Sequence, residues 1–219
     1  MSTSLVLVPT DLERAHLARA LADTRRDDVR LELCGFGPVA AAARTAALVA
    51  THSPDRVLLL GIAGRLAESL AIGGAYRFDR VACHGVGVGT GDDFLPAGAL
   101  GWPQWAGDPP AATVIGDVIE LPPHRATAAN LSGGLLLTAC AASATVRDVA
   151  TRKTQFPDAT AEDMEGFGVA FACRLHGVPL TIVRGISNDA GDRDHARWQV
   201  QPALTAAAAL AVRILKETS

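Results

Sequence analysis

Residues 57–60, Val-Leu-Leu-Leu, form a run with no polar side chain on either face of a strand, and the chain holds three more largely apolar runs at 5–8, 135–138 and 180–186. A strand of this kind must be covered on both faces, which suits the interior of a parallel sheet. Between the runs lie alanine-rich stretches with helical spacing. Residues 11–24 carry Leu12, Ala15, Leu17, Ala18 and Leu21 on one face, and 38–51 opens with a proline that a helix tolerates in its first turn. Further helices are expected over 163–176 and 199–217, and further strands over 29–34 and 76–83. Repeated strand–helix alternation predicts an α/β fold with a mainly parallel sheet and helices on both faces.

With 219 residues, no repeat and no linker, residues 1–219 read as one domain, and 49% apolar residues are enough for its core. The net charge of −3 and pI near 6.0 give no general attraction to nucleic acid or anionic lipid. Cys34, Cys83, Cys140 and Cys173 stand far apart, without a CxxC pair or clustered histidines. They read as buried free thiols in a reducing compartment, so no metal or other cofactor is expected. The N-terminal residues lack a basic region before the short run at 5–8, and no apolar segment approaches a membrane span, so a cytoplasmic location is expected.

Ligands of such sheets sit at the carboxyl ends of the strands. That directs attention to 9–13, 35–38, 61–64, 138–143 and 187–198. Gly35-Phe-Gly37 is half of a dinucleotide fingerprint, without its third glycine or an acidic partner, and reads as a tight strand–helix turn. Gly61-Ile-Ala-Gly64 permits a close backbone approach and little more. Thr10-Asp-Leu-Glu13 is a capping box, which by itself favours a structural role for Glu13. Glu162, Asp163 and Glu165 fit the acid preference of a helix's first turn. The segment Ser187-Asn-Asp-Ala-Gly-Asp-Arg-Asp-His195 suits a turn and is equally dense in groups that donate, accept or titrate. Cys140 and Ser143 lack the setting of a nucleophile.

Taken in order, several pieces resemble the nucleoside phosphorylase and nucleosidase superfamily, and within it the futalosine hydrolase family. They are Val8-Pro-Thr-Asp-Leu-Glu13, Gly35-Phe-Gly-Pro-Val-Ala-Ala41, Leu60-Gly-Ile-Ala-Gly64, Glu162-Asp-Met-Glu-Gly166 and Val183-Arg-Gly-Ile-Ser-Asn188, followed by Gly191-Asp-Arg-Asp194 and Trp198. The resemblance implies a three-layer α/β/α sandwich, its central sheet mainly parallel and partly mixed. The implied reaction is hydrolysis of the N-ribosyl bond of futalosine, leaving hypoxanthine and dehypoxanthine futalosine, a step of the alternative menaquinone route. The implied partners are that small nucleoside and further copies of the chain.

Carried over by position, Glu13 corresponds to the acid that activates water, and Met164 with Glu165 to the pair that holds ribose. Ala63 and Gly64 line the substrate, and Asn188 addresses the purine. Methylthioadenosine nucleosidases have an aspartate at this last position, which can protonate N7, whereas an amide suits a 6-oxopurine. Asp189 or Asp192 could then supply the proton. A further departure is Ile62, where nucleosidases often have serine; a side-chain contact is lost there and the backbone contacts can remain. Trp198 would pack on the aryl group of futalosine, with Arg193 or Arg197 at its carboxylate. Rival readings are a methylthioadenosine/S-adenosylhomocysteine nucleosidase, a purine nucleoside phosphorylase and a non-catalytic nucleoside-binding module.

Overall fold

The computed structural model describes residues 3–21, 28–108, 113–123 and 131–217. Among the strands that lead into the site are β1 (Ser4–Val8), β2 (Val29–Leu33), β3 (Arg56–Arg65), β10 (Ala159–Asp163) and β11 (Leu180–Asp189). Strands β4 (Ala75–Phe78), β5 (Arg80–His84), β8 (Val118–Glu120) and β9 (Leu135–Ala139) complete one nine-stranded sheet among the described residues. The pair β6 (Gly87–Val88) and β7 (Leu95–Pro96) stands apart from it.

The sheet is mixed. β1 runs parallel to β2 and β3, β11 parallel to β3, and β9 parallel to β5 and β10. β10 meets the end of β3 antiparallel, and β4 and β8 are antiparallel to β11 and β5. One edge of β3 is therefore shared by β1 at its start and β10 at its end, while β11 follows the other edge throughout.

Alternate residues of the apolar runs point to opposite faces, and each face is roofed by a helix pair. Leu5, Leu7, Val57 and Leu59 pack with Ala41, Leu48 and Val49 of α2 (Pro38–His52) and Phe167, Val169 and Cys173 of α4 (Gly166–Leu175). Val6, Val8, Leu58 and Leu60 pack with Leu17 of α1 (Asp11–Ala20) and Leu204, Ala207 and Ala211 of α5 (Val200–Glu217). This is the expected three-layer arrangement. The core is continuous along β1 and β3, where a leucine cut to alanine typically costs about 2–5 kcal/mol.

Several expectations are corrected. The single strand expected over 76–83 is two, β4 and β5. The chain turns at Asp79, where the Asp79 and Arg80 N–H groups both donate to the Gly134 carbonyl. The helix expected from 163 begins at Gly166, and the residues before it form β10. Helix α3 (Val146–Gln155) was not anticipated. Part of the helix expected over 11–24 lies outside the described residues. Only Cys34 and Cys173 are fully buried; Cys83 is half-buried and Cys140 exposed.

Candidate active site

A cavity of about 490 Å³ opens where β1, β2, β3, β9, β10 and β11 end. All five segments singled out from the sequence contribute to its wall: Glu13, Phe36, Ala63, Ser143 and Asn188 each come from a different one. The volume suits a nucleoside-sized ligand.

Its floor is built on charge. Arg184, on β11, is fully buried, and its guanidinium donates from Nε and Nη2 to Asp163 (3.0 and 2.6 Å) and from Nη2 to Glu165 (3.2 Å). Its Nη1 has no hydrogen-bond partner. Burial alone would lower the Arg184 pKa, but Asp163, Glu165 and Glu13 outweigh it and hold the cation charged. A Cβ on Gly61 would collide with Nη1 and come within 2.7 Å of Glu13 Oε1. Glycine is therefore needed in mid-strand so that Glu13 and Arg184 can converge above it.

Glu13 both caps α1 and faces the cavity. Its Oε2 accepts from the Thr10 amide (3.1 Å) and hydroxyl (2.7 Å), closing the capping box of α1. Its Oε1 accepts from the Ile62 amide at 3.1 Å, on the cavity wall. The backbone contact at Ile62 is thus present whatever its side chain.

Glu165 precedes α4 without capping it. Asp163 takes the Gly166 N–H (2.9 Å), and Thr138, which donates to Asp163 (2.6 Å), takes that of Phe167 (2.8 Å). Glu165 is left to accept from the Gly37 amide (3.1 Å) and from Arg184. Burial raises its pKa to about 7; Arg184 and the Gly37 amide pull downward, and Asp163 and Glu13 push up. The carboxyl therefore titrates near neutrality.

Asn188 is buried at the end of β11, which continues past Ile186 through a bulge. Its Nδ2 donates to the Asp189 carbonyl and its Oδ1 accepts from the Ser187 hydroxyl, both at 2.7 Å. An amide oxygen facing that carbonyl would be repelled, so Asp189 fixes which end is nitrogen. The Asp189 carboxylate pairs with Arg65 at 2.6 Å and does not line the cavity. Asp192 also lies outside the lining and accepts from Arg197 at 2.8 Å.

At the mouth, Met164, Arg193, His195 and Trp198 line the wall. His195 stacks on Trp198 with centroids 4.3 Å apart, and Arg193 lies 5.2 Å from the tryptophan ring centre. Of the two arginines left open, Arg197 is tied to Asp192 and Asp194, whereas Arg193 pairs with no carboxylate among the described residues.

The sequence model of the phosphorylase superfamily matches residues 15–218. The chain belongs to this superfamily. Futalosine hydrolase of Streptomyces coelicolor is 33% identical to it, covering 92% of this chain and 90% of that protein. The 5'-methylthioadenosine/S-adenosylhomocysteine nucleosidase of Staphylococcus carnosus is 32% identical over 82% and 78%. Both are hydrolases of N-glycosyl bonds, the class expected. Nucleosidase structures from Streptococcus pneumoniae (TM-score 0.78, 21% identity, 99% of this chain and 100% of that one) and Neisseria meningitidis (0.76, 20%, 99% and 100%) share the superfamily fold.

Arg184 and Thr138, which hold Asp163 beneath the cavity, were given no role from sequence. Arg184 stands inside an apolar strand, an unlikely place for a cation without buried acids, and that was the available signal. For α3 the signal was Thr145-x-x-Asp148, the capping box that opens it.

Proposed function

We propose that this chain hydrolyses the N-ribosyl bond of futalosine, releasing hypoxanthine, within the alternative route to menaquinone. The observation that carries the reading is Asn188, a buried amide with a fixed orientation where a purine would leave. One Nδ2 hydrogen remains for O6 of hypoxanthine, and Oδ1 has a second lone pair for a protonated N7. Adenine would set its amino group against Nδ2, two donors face to face, at a cost of about 1–3 kcal/mol.

The other roles follow from charge development. Bond cleavage leaves positive charge on ribose and negative charge on the base. Glu165 in its ionised form accepts from the ribose hydroxyls and stabilises the cation, with Met164, Ala63 and Gly64 against the substrate. Glu13 accepts the proton of the attacking water, its free geometry set by Ile62 and Thr10. Trp198 packs on the aryl group and Arg193 meets its carboxylate, the role in which Arg197 is disfavoured by its aspartates. Asp189, held by Arg65, is disfavoured as the proton donor to the base.

The reading implies a single catalytic domain over 1–219, cytoplasmic and homo-oligomeric. Exposed Leu12 and Phe36 at the cavity and Val39 beside them support a contact between copies. A second reading, a methylthioadenosine/S-adenosylhomocysteine nucleosidase, is favoured by the similar identity of the Staphylococcus relative. Incubation with futalosine, inosine and methylthioadenosine, with and without phosphate, separates them. Hypoxanthine from futalosine without need of phosphate supports the proposal, and adenine from methylthioadenosine as the dominant product overturns it. Asn188→Asp should lower futalosine turnover and raise adenine release.

A further inference from the structure

One buried carboxylate of the cavity wall takes no part in the chemistry above. Glu162, on β10, is only 4% exposed. Its Oε1 accepts from the Ser143 amide (2.8 Å), and its Oε2 accepts from the Ser143 hydroxyl (2.7 Å) and from Arg152. Arg152 also donates to the Ala141 carbonyl, so α3 is tied to this wall without Glu162. A carboxylate offers about four acceptor positions, and three are used here, leaving one on Oε1.

Register puts this acid beside Asn188. Gly64 on β3 is the partner of Glu162 on one side and of Asn188 on the other. Strands lie about 4.8 Å apart, so the two Cα atoms stand about 10 Å apart across a residue with no side chain. A Cβ on Gly64 would lie 3.5 Å from Glu162 Cγ, which places that acid on the face where the glycine leaves room. The two polar side chains flank Gly64, with Ala190 also against its face, a span that one edge of a planar base can fill.

Resting on the reading above, we propose that Glu162 is a specificity-determining residue that accepts the N1–H of a 6-oxopurine while Asn188 addresses its O6 and N7. Arg152 supports an acceptor-only carboxylate, and Glu162 itself occupies the Ser143 N–H, the donor that an unprotonated ring nitrogen would need. Adenine, whose N1 is an acceptor, meets acceptor against acceptor. Two neighbouring groups then read the same edge, and both exclude a 6-aminopurine.

The test uses hypoxanthine, adenine and 1-methylhypoxanthine as competitive product inhibitors of the wild type and of Glu162→Gln. Wild type should bind hypoxanthine at least about tenfold better than either other base. In Glu162→Gln that preference should shrink about tenfold or more, because the new amide can donate to N1. An Arg152–Glu162 pair that only holds α3 would lower the melting temperature and leave the ratios unchanged, overturning the inference. Should the variant fail to fold, wild type decides alone: equal binding of hypoxanthine and 1-methylhypoxanthine overturns it. If wild type releases no hypoxanthine from any substrate, the functional reading fails first; if it does and the ratios stand in Glu162→Gln, only the role of Glu162 fails.

Discussion

Glu165 gives this site a measurable pH signature. Its carboxyl is pushed from an ordinary 4.5 up to about 7, mainly by burial, so the fraction ionised rises from about one tenth near pH 6 to about nine tenths near pH 8. The profile of kcat/KM reports the free enzyme, so it should climb about tenfold over that range and level off above it. The same shift is a stability statement. A raised folded pKa means that the contribution is fully present below about pH 4.5 and is lost as pH rises through about 7. Two and a half pH units at 1.36 kcal/mol each set an upper size of about 3 kcal/mol. Glu165→Gln removes the titration. It should match the wild type at about pH 5 and exceed it by up to about 3 kcal/mol at about pH 8, while losing at least about a hundredfold in turnover. Urea unfolding at the two pH values and initial rates of base release across the range measure both. A stability difference that is the same at both pH values, or a rate limb that persists in the variant, would refute the reasoning.

Two further perturbations probe the charged floor. Arg184→Met leaves Asp163 buried without its cation and should cost about 3–5 kcal/mol by denaturant unfolding; any activity that survives should have its rising limb moved above pH 7, since the downward pull on Glu165 is gone. Gly61→Ala places a methyl group against the Arg184 guanidinium and Glu13, and should lower both melting temperature and turnover, whereas a variant with wild-type rates would show that Glu13 and Arg184 need not meet there.

The fold was legible where a segment's burial is the same along its length. The run at 57–60 announces a strand because every residue is apolar, 180–186 does so although Thr181 and Arg184 interrupt it, and α5 declares itself by Ala and Leu spacing. β10 was not legible, because Ala-Thr-Ala-Glu-Asp carries two acids where a central strand should carry aliphatic side chains. Their partners, Arg152 and Arg184, lie 10 and 21 residues away and reach them only in the folded chain. For the same reason Glu162 and Asp163 were read as helix-start acids, although the helix begins after them. β3 and β11 were read too short, since Gly61 and Ser187-Asn188 look like loop residues until each strand gains its neighbour. The cavity-lining residues were findable because sheet ends gather loops in a known place; Arg193 lines the cavity, while Arg197 is held by the aspartates beside it.

On the proposed reading, a raised pKa on Glu165 suits the chemistry. Glu13, Asp163 and Glu165 surround one cation, Arg184, and its Nη1 has no partner of its own. Three carboxyl groups face one guanidinium in a buried place, burial raises the Glu165 pKa to about 7, and in its ionised form Glu165 carries charge that the cluster does not balance. A ribose that gains positive charge supplies the missing counter-charge at the moment of cleavage and not before. The interaction is therefore stronger in the transition state than with the neutral substrate, which is the condition for raising turnover and not only affinity. Arg184 sets the scale of this effect: without it Glu165 would stay protonated at neutral pH, and with a second cation beside it Glu165 would be ionised and already satisfied before the sugar arrived.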